Sequence, residues 1–176
     1  ESPEMRGVIA NVINRWDPEV IMDCHTTNGA YHVEPTTFTW MMNPNGDRVL
    51  INYMRDKMMP AVSKTLLDKY KIENCFYGEF IDMGDYSKGW ISYAAEPRYF
   101  SNYMGVRNRL SILNENYVYA DFKSRVLGCY YLIHSLMDYS SDNFSEIKKL
   151  VKEADAKTIA KGMNPTVADS FAITYK

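Results

Sequence analysis

The stretch Glu19-Val20-Ile21-Met22-Asp23-Cys24-His25 decides the fold class of this chain. Its three consecutive apolar residues follow Asp17-Pro18 and are typical of a short strand buried on both faces of a parallel or mixed sheet. Because alternate residues of a strand point to the same side, we expect Asp23 and His25 on one face. Both lie at the carboxyl end of the predicted strand, where open α/β sheets bind their ligands.

The rest of the chain alternates between helical and extended patterns. Apolar residues at steps of three and four predict helices, and short runs rich in β-branched and aromatic residues predict strands. The predicted helices cover residues 3–16, 50–66 with a kink near Pro60, 122–137 and 147–154. The predicted strands cover residues 19–25, 36–42, 77–83 and 109–115, with a long loop at 84–100. This alternation predicts an α/β fold with a mixed, largely parallel sheet flanked by helices.

The two ends of the chain carry apolar patterns that need a partner. The opening helix, for which Ser2 is the expected N-cap, places Met5, Val8 and Trp16 on one face that has to pack against another element. Residues 167–175 form a strand-like stretch that stops at Lys176. We therefore expect a segment of a longer polypeptide, and self-association through the apolar surface that the rest of that polypeptide would cover.

Composition excludes several classes of partner. With 20 Lys and Arg against 22 Asp and Glu, the formal charge of −2 gives no electrostatic footprint for nucleic acid or for an anionic membrane surface. No apolar run approaches the roughly 18 residues that a membrane span needs. The three cysteines are an odd number without CxxC spacing, so neither a disulfide framework nor a thiolate metal site is predicted.

A second stretch that contains candidate functional residues is Arg107-Asn108-Arg109-Leu110-Ser111-Ile112-Leu113-Asn114-Glu115. If it is extended, Arg107, Arg109 and Glu115 share one face and point into one cleft. Glu115 is then a candidate general base, and the arginines are candidates for holding an anionic substrate end. The alternative is that the arginines only pair with acids. For His25 the corresponding alternative is a hydrogen-bonded histidine at a strand end.

Taken in this order, the two stretches resemble the M14 family of zinc carboxypeptidases, in a bacterial branch. The resemblance covers most of the chain and falls on the second half of that family's catalytic domain. It implies a three-layer carboxypeptidase-like fold, present here only in part, with residues 1–165 as its C-terminal portion and residues 166–176 as the start of a following strand or domain. It also implies that His25 is a zinc ligand, that Asp23 orients its ring and that Glu115 is the catalytic carboxylate.

By the same resemblance, zinc is held by two His and one Glu, and two of these ligands come from a His-x-x-Glu motif. No His-x-x-Glu occurs in this sequence, so those ligands are expected upstream of it. The intact protein is then a metallocarboxypeptidase that acts on peptides or peptide-like amides, whereas the chain alone is expected to be inactive and to hold no zinc tightly. A secreted or periplasmic location is the common case for such relatives in bacteria.

Other functions and residues remain open at this point. The alternatives are a non-catalytic binding module that holds an anionic ligand with Arg107 and Arg109, and a hydrolase of small acyl-amides. The resemblance also implies a tyrosine that closes over the substrate, for which Tyr77 and Tyr86 are the candidates. His32 is expected to be a surface histidine, and His134 is expected to be packed within a helix.

Overall fold

Six strands and seven helices make up the described part of the chain, which is residues 2–27 and 31–173 of a computed structural model. The strands are β1 (Val20–Thr26), β2 (Thr36–Trp40), β3 (Asn74–Phe76), β4 (Glu79–Phe80), β5 (Trp90–Ile91) and β6 (Leu110–Asn116). Four of them form one sheet in the order β1-β6-β2-β3, and β4 and β5 form a separate antiparallel pair. The predicted α/β class is confirmed.

The four-stranded sheet is mixed and mostly parallel, as predicted. β6 runs parallel to β1 and antiparallel to β2, and β2 runs parallel to β3. The register aligns four residues in a row across the sheet, namely His25, Glu115, Thr37 and Cys75. Because directly paired residues of neighbouring strands share a face, these four side chains lie on the same side of the sheet.

Helices flank the sheet. They are α1 (Pro3–Val8), α2 (Asn14–Trp16), α3 (Arg48–Tyr53), α4 (Met59–Tyr70), α5 (Phe100–Val106), α6 (Phe122–Asp142) and α7 (Phe144–Met163). A π-helical turn at Ile9–Ile13 joins α1 to α2, and another at Met54–Met58 joins α3 to α4. The second turn ends just before Pro60, which has no N–H to donate, so the irregularity lies near the predicted kink.

The hydrophobic core lies between one face of the sheet and the long helices. β6 contributes Leu110 and Ile112, and β2 contributes Phe38. α6 approaches this face closely, since a Cβ added at Gly128 would lie 3.2 Å from the Cβ of Thr36. The core also contains the buried face of the helices, at Leu50, Met54, Met58, Val62, Leu66, Leu132, Leu136, Ile147 and Val151.

The opposite face of the sheet is covered by α5 and by the loop before it. Asn102 of α5 accepts hydrogen bonds from the backbone N–H groups of Met42 and Asn43, at 2.8 and 3.1 Å. Gly105 lies against Met41, where an added Cβ would come within 2.5 Å of the Met41 Cβ. This docking brings α5 and the preceding loop over the row that holds His25 and Glu115.

Three local predictions differ from the structure. Within residues 77–83 only Glu79–Phe80 is a strand, because the main-sheet strand of this region, Asn74–Phe76, ends before Gly78. The predicted loop at 84–100 contains a short 3-10 turn, Tyr86–Lys88, and the strand β5. Residues 166–173 form no strand, and residues 174–176 of that prediction lie outside the described part.

The apolar side of the opening helix also differs from expectation. Ser2 caps the helix as predicted, accepting a hydrogen bond from the Met5 N–H at 3.2 Å. Along α1, the π turn and α2, however, only Ile13 is buried, and the predicted face is exposed at Met5, Val8, Val12 and Trp16. The described residues therefore do not cover this face. None of the described helices is long and apolar enough to traverse a bilayer.

Candidate active site

Asp23, His25 and Glu115 come together at the carboxyl ends of β1 and β6. His25 and Glu115 are direct partners in the parallel register, so their Cα atoms lie about 4.8 Å apart across the sheet. Asp23 is two residues earlier on the same face of β1. The two separate sequence stretches thus contribute an imidazole and two carboxylates to one edge of the sheet.

The Asp23 carboxylate orients the His25 ring. His25 Nε2 lies 3.0 Å from Asp23 Oδ1, which fits donation of the Nε2 proton to the carboxylate. In the neutral imidazole the other nitrogen, Nδ1, then carries the lone pair. The His25 side chain is half exposed, so this nitrogen is accessible to a ligand approaching the edge of the sheet.

Glu115 is more enclosed than its two neighbours. Its Oε2 atom is buried and has no hydrogen-bond partner among the described residues. Burial raises the pKa of the Glu115 carboxyl; the nearby His25 opposes this shift and the negative charge of Asp23 adds to it. Its backbone carbonyl accepts a 2.8 Å hydrogen bond from Thr37 Oγ1, which fixes the end of β6. A carboxyl group with a raised pKa and an unoccupied oxygen is suited to taking up and releasing a proton.

Three tyrosines form an aromatic wall beside these groups: Tyr77, which follows β3, and Tyr93 and Tyr99 from the loop before α5. Tyr93 contacts Tyr99 edge-on with ring centroids 5.0 Å apart, and Tyr77 lies 6.0 Å from Tyr93. Burial, together with the charge of Glu115, raises the pKa of Tyr77 to about 12. The pKa of Tyr93 is raised by burial first, and the charges of Asp23 and Glu115 add to the shift. Both hydroxyls therefore stay protonated and can donate hydrogen bonds at neutral pH.

Of these tyrosines, only Tyr77 was a candidate from the sequence. The second candidate, Tyr86, stacks on Phe80 at 4.4 Å and is exposed, so it belongs to the small β4–β5 hairpin. Tyr93 was missed, and the Ser101 hydroxyl on α5, to which the Tyr93 hydroxyl hydrogen bonds, holds it in place. The spacing of the tyrosines carries no periodic signal, so only the loop fold reveals the wall.

The prediction that Arg107 and Arg109 share a cleft with Glu115 is wrong. Arg109 lies six residues before Glu115, at the amino end of β6, so about 20 Å of extended chain separates them. Its guanidinium is buried in ion pairs with Asp17 at 2.7 Å and Asp155 at 3.0 Å. Arg107 donates to Asn14 Oδ1 at 2.9 Å and to the Tyr103 hydroxyl at 3.0 Å. The alternative reading, in which Arg109 pairs with acids, is the one that the structure supports.

The other two histidines also differ from expectation. His32 was expected at the surface, but its side chain is only 9% exposed and packs on the ring of Tyr117 at 4.2 Å. His134 was expected to be packed, but its side chain is 44% exposed and Nδ1 lies 3.1 Å from Asp138 Oδ2. His32 is buried by aromatic residues distant in sequence, whereas His134 faces outward from α6.

The site fits a metal only in part. His25 offers one ligand nitrogen, and the unpartnered Glu115 oxygen suits a base that acts on a bound water. Among residues 2–27 and 31–173, the side chains around His25 do not form a compact group of three metal-binding atoms. Asn28 and Gly29, which follow the histidine in the sequence, lie outside the described residues. Comparisons with protein-family models, with curated proteins and with solved structures find nothing that matches this chain.

Proposed function

We propose that the intact protein is a zinc-dependent metallocarboxypeptidase of the M14 type, hydrolysing peptides or peptide-like amides. The observation that carries the proposal is the direct pairing of His25 with Glu115, in which the Glu115 Oε2 atom is buried and unpartnered. The proposal includes a carboxypeptidase-like three-layer fold, of which this chain supplies the mixed sheet and its flanking helices.

Each residue has a distinct role in this proposal. His25 holds the zinc ion together with ligands from a His-x-x-Glu motif elsewhere in the polypeptide, and Asp23 keeps the His25 ring in position. When bound, zinc lowers the pKa of a coordinated water and polarises the scissile carbonyl. Glu115 accepts the proton from the attacking water and later delivers it to the nitrogen of the leaving amine. The raised pKa of Glu115 makes the carboxyl a better proton acceptor, which suits the first of these transfers.

The tyrosine wall supports the same reaction. Tyr77 and Tyr93 keep their protons near the negative carboxylates, so their hydroxyls can donate hydrogen bonds. Their rings restrict water on the side of Glu115 that faces α5. Excluding bulk water from this side lowers the local dielectric constant, which strengthens the electrostatic interactions of the Glu115 carboxylate.

The decisive variant is Glu115→Gln in the full-length protein, because glutamine keeps the shape but cannot accept the proton. We expect hydrolysis across a panel of peptides and small acyl-amides to fall by about 100-fold to 10,000-fold, with bound zinc unchanged. Glu153→Gln, an exposed glutamate on α7, is the matched control and keeps full activity. Retained activity in Glu115→Gln would remove Glu115 from this role.

A second measurement tests the metal ligand. His25→Ala is expected to remove one equivalent of zinc from the full-length protein, as measured by elemental analysis. Unchanged zinc content in this variant overturns the assignment of His25. The alternative of an anion-binding module depended on Arg107 and Arg109, and both are engaged elsewhere in the fold. The acyl-amide alternative is decided by which members of the panel are cleaved.

A further inference from the structure

A second group of metal-binding side chains lies at the opposite end of the row that begins at His25. His32, Glu34 and Cys75 each direct one ligand atom to a common point, and these atoms lie within 4.8 Å of one another. His32 Nδ1 and Glu34 Oε2 are 3.7 Å apart. Cys75 is on β3, and the other two residues lie in the segment that leads into β2.

The His32 imidazole is the second observation that points to a ligand. Its side chain is only 9% exposed, and its Nδ1 atom is buried without a hydrogen-bond partner among the described residues. Tyr117 packs on the ring at 4.2 Å and Trp90 contacts it edge-on at 6.3 Å. These rings hold the buried nitrogen towards Glu34, at a distance too long for a hydrogen bond.

The spacing suits a tetrahedral ion. Zinc binds imidazole nitrogen, carboxylate oxygen and thiolate sulfur at about 2.0–2.3 Å, so its ligand atoms lie about 3.3–3.8 Å apart. The 3.7 Å distance from His32 to Glu34 is within that range, and Cys75 needs only a small movement to reach it. We propose that His32, Glu34 and Cys75 form a binding site for one Zn²⁺ ion, with a water molecule in the fourth position.

Charge and proton balance are consistent with this site. A Cys75 thiolate and a Glu34 carboxylate together neutralise the two positive charges of the ion. Burial, with the charge of Glu34 adding to it, raises the pKa of the Cys75 thiol to about 12, so the thiol is protonated before the ion binds. Binding breaks the S–H bond, forms the S–Zn bond and releases one proton to solvent. Burial also lowers the pKa of His32, which keeps its imidazole neutral for coordination.

This site is separate from His25. Three inter-strand steps lie between His25 and Cys75 in the row, which is about 14 Å at the usual strand spacing. One ion cannot reach both. The proposed site departs from two sequence-based expectations, namely that the chain has no thiolate metal site and that it holds no zinc tightly by itself. The first expectation rested on the absence of CxxC spacing, and the second concerned the zinc site at His25.

Cobalt titration of the reduced, metal-free protein tests the site directly. Co²⁺ occupies zinc sites, and a thiolate ligand gives it a charge-transfer band in the near ultraviolet that nitrogen and oxygen ligands do not give. We expect this band to saturate at one equivalent and to be abolished by Cys75→Ser. The control Cys24→Ser, which removes a cysteine on the other face of β1, keeps the band.

Further variants keep the test decisive if Cys75→Ser folds poorly. His32→Gln retains the thiol and is expected to lower cobalt affinity by at least about 10–100-fold, with unchanged circular dichroism.

The outcomes separate this site from the proposed function. A band that is absent from the parent, or that persists in both Cys75→Ser and His32→Gln, overturns the site. His25→Ala is expected to keep the band, because His25 is not a ligand here. A protein that shows the band but loses no activity in Glu115→Gln would retain this site while the proposed peptidase function fails.

Discussion

Replacing Arg109 by Met removes a guanidinium that joins three parts of the chain. Its Nε and Nη2 atoms donate to the Asp17 carboxylate at 2.7–3.1 Å, and Nη1 donates to both oxygens of Asp155 at 3.0 Å. Nη1 also lies 3.0 and 3.2 Å from the carbonyls of Arg107 and Asn108. The guanidinium therefore ties the turn before β1 and the helix α7 to the amino end of β6.

The expected loss in the free energy of unfolding depends on how deeply Arg109 and its two partners are buried. Breaking a fully buried ion pair costs about 3–5 kcal/mol, and a hydrogen bond to a charged group contributes about 1.5–3 kcal/mol. The side chain of Arg109 is 9% exposed, but those of Asp17 and Asp155 are 57% and 35% exposed, so water replaces part of what they lose. We expect Arg109→Met to lower the free energy of unfolding by about 3 kcal/mol. Arg109→Lys keeps the charge without the planar fork and is expected to lose about half as much.

Urea unfolding followed by circular dichroism measures this loss. With a slope of about 2–3 kcal/mol per molar, the midpoint of Arg109→Met falls by about 1–1.5 M. The matched control is Arg55→Met, which removes an exposed pair with the adjacent Asp56 and leaves the midpoint unchanged. Equal midpoints for Arg109→Met and Arg55→Met would refute the structural role of Arg109.

Two further predictions concern the glycine beneath the site and the pH dependence of stability. Gly105→Ala places a methyl group 2.5 Å from the Met41 Cβ and is expected to lower the free energy of unfolding by about 1–3 kcal/mol. The control Gly7→Ala, whose added methyl group meets nothing within 4 Å, is expected to be neutral or stabilising. Thermal unfolding compares the two variants, and equal melting temperatures would contradict the close packing of Gly105 against Met41. Since burial raises the pKa of Glu115 above its ordinary value near 4.5, the unfolded chain gives up this proton at lower pH than the folded chain. The contribution of Glu115 to stability is therefore complete below pH 4.5 and declines as the pH rises through its folded-state pKa. Glu115→Gln is expected to gain stability relative to the parent as the pH rises above 4.5 in urea titrations, and parallel pH profiles for the two proteins would contradict the raised pKa.

The two strands that carry the site were predictable because their signal is local. The predicted strands at 19–25 and 109–115 differ by one residue at each end from β1 and β6. β1 begins with the apolar run Val20-Ile21-Met22, and β6 contains Leu110, Ile112 and Leu113, although Ser111 and Asn114 of β6 are buried as well. The placement of His25 and Glu115 at one sheet edge follows once these strands are adjacent and parallel.

The surroundings of the site were not predictable, because they depend on contacts between distant residues. Arg109 is paired through Asp17, which is 92 positions earlier, and strand alternation says nothing about such a partner. His32 is buried by Tyr117 and Trp90, neither of which is near it in the sequence. The short helix α5 has no side-chain cap and is stabilised by Asn102, whose amide oxygen accepts from the backbone of residues 42 and 43.

The position of β6 within the sheet gives the two principal residues unequal freedom. β6 is hydrogen bonded on both sides, to β1 and to β2, whereas β1 has a single neighbour in the described sheet. Displacing Glu115 would disrupt two ladders and the Thr37 contact, but a small shift of His25 disturbs only one ladder. Glu115 is thus held rigidly in the site, whereas His25 can adjust its position to a bound ion or substrate.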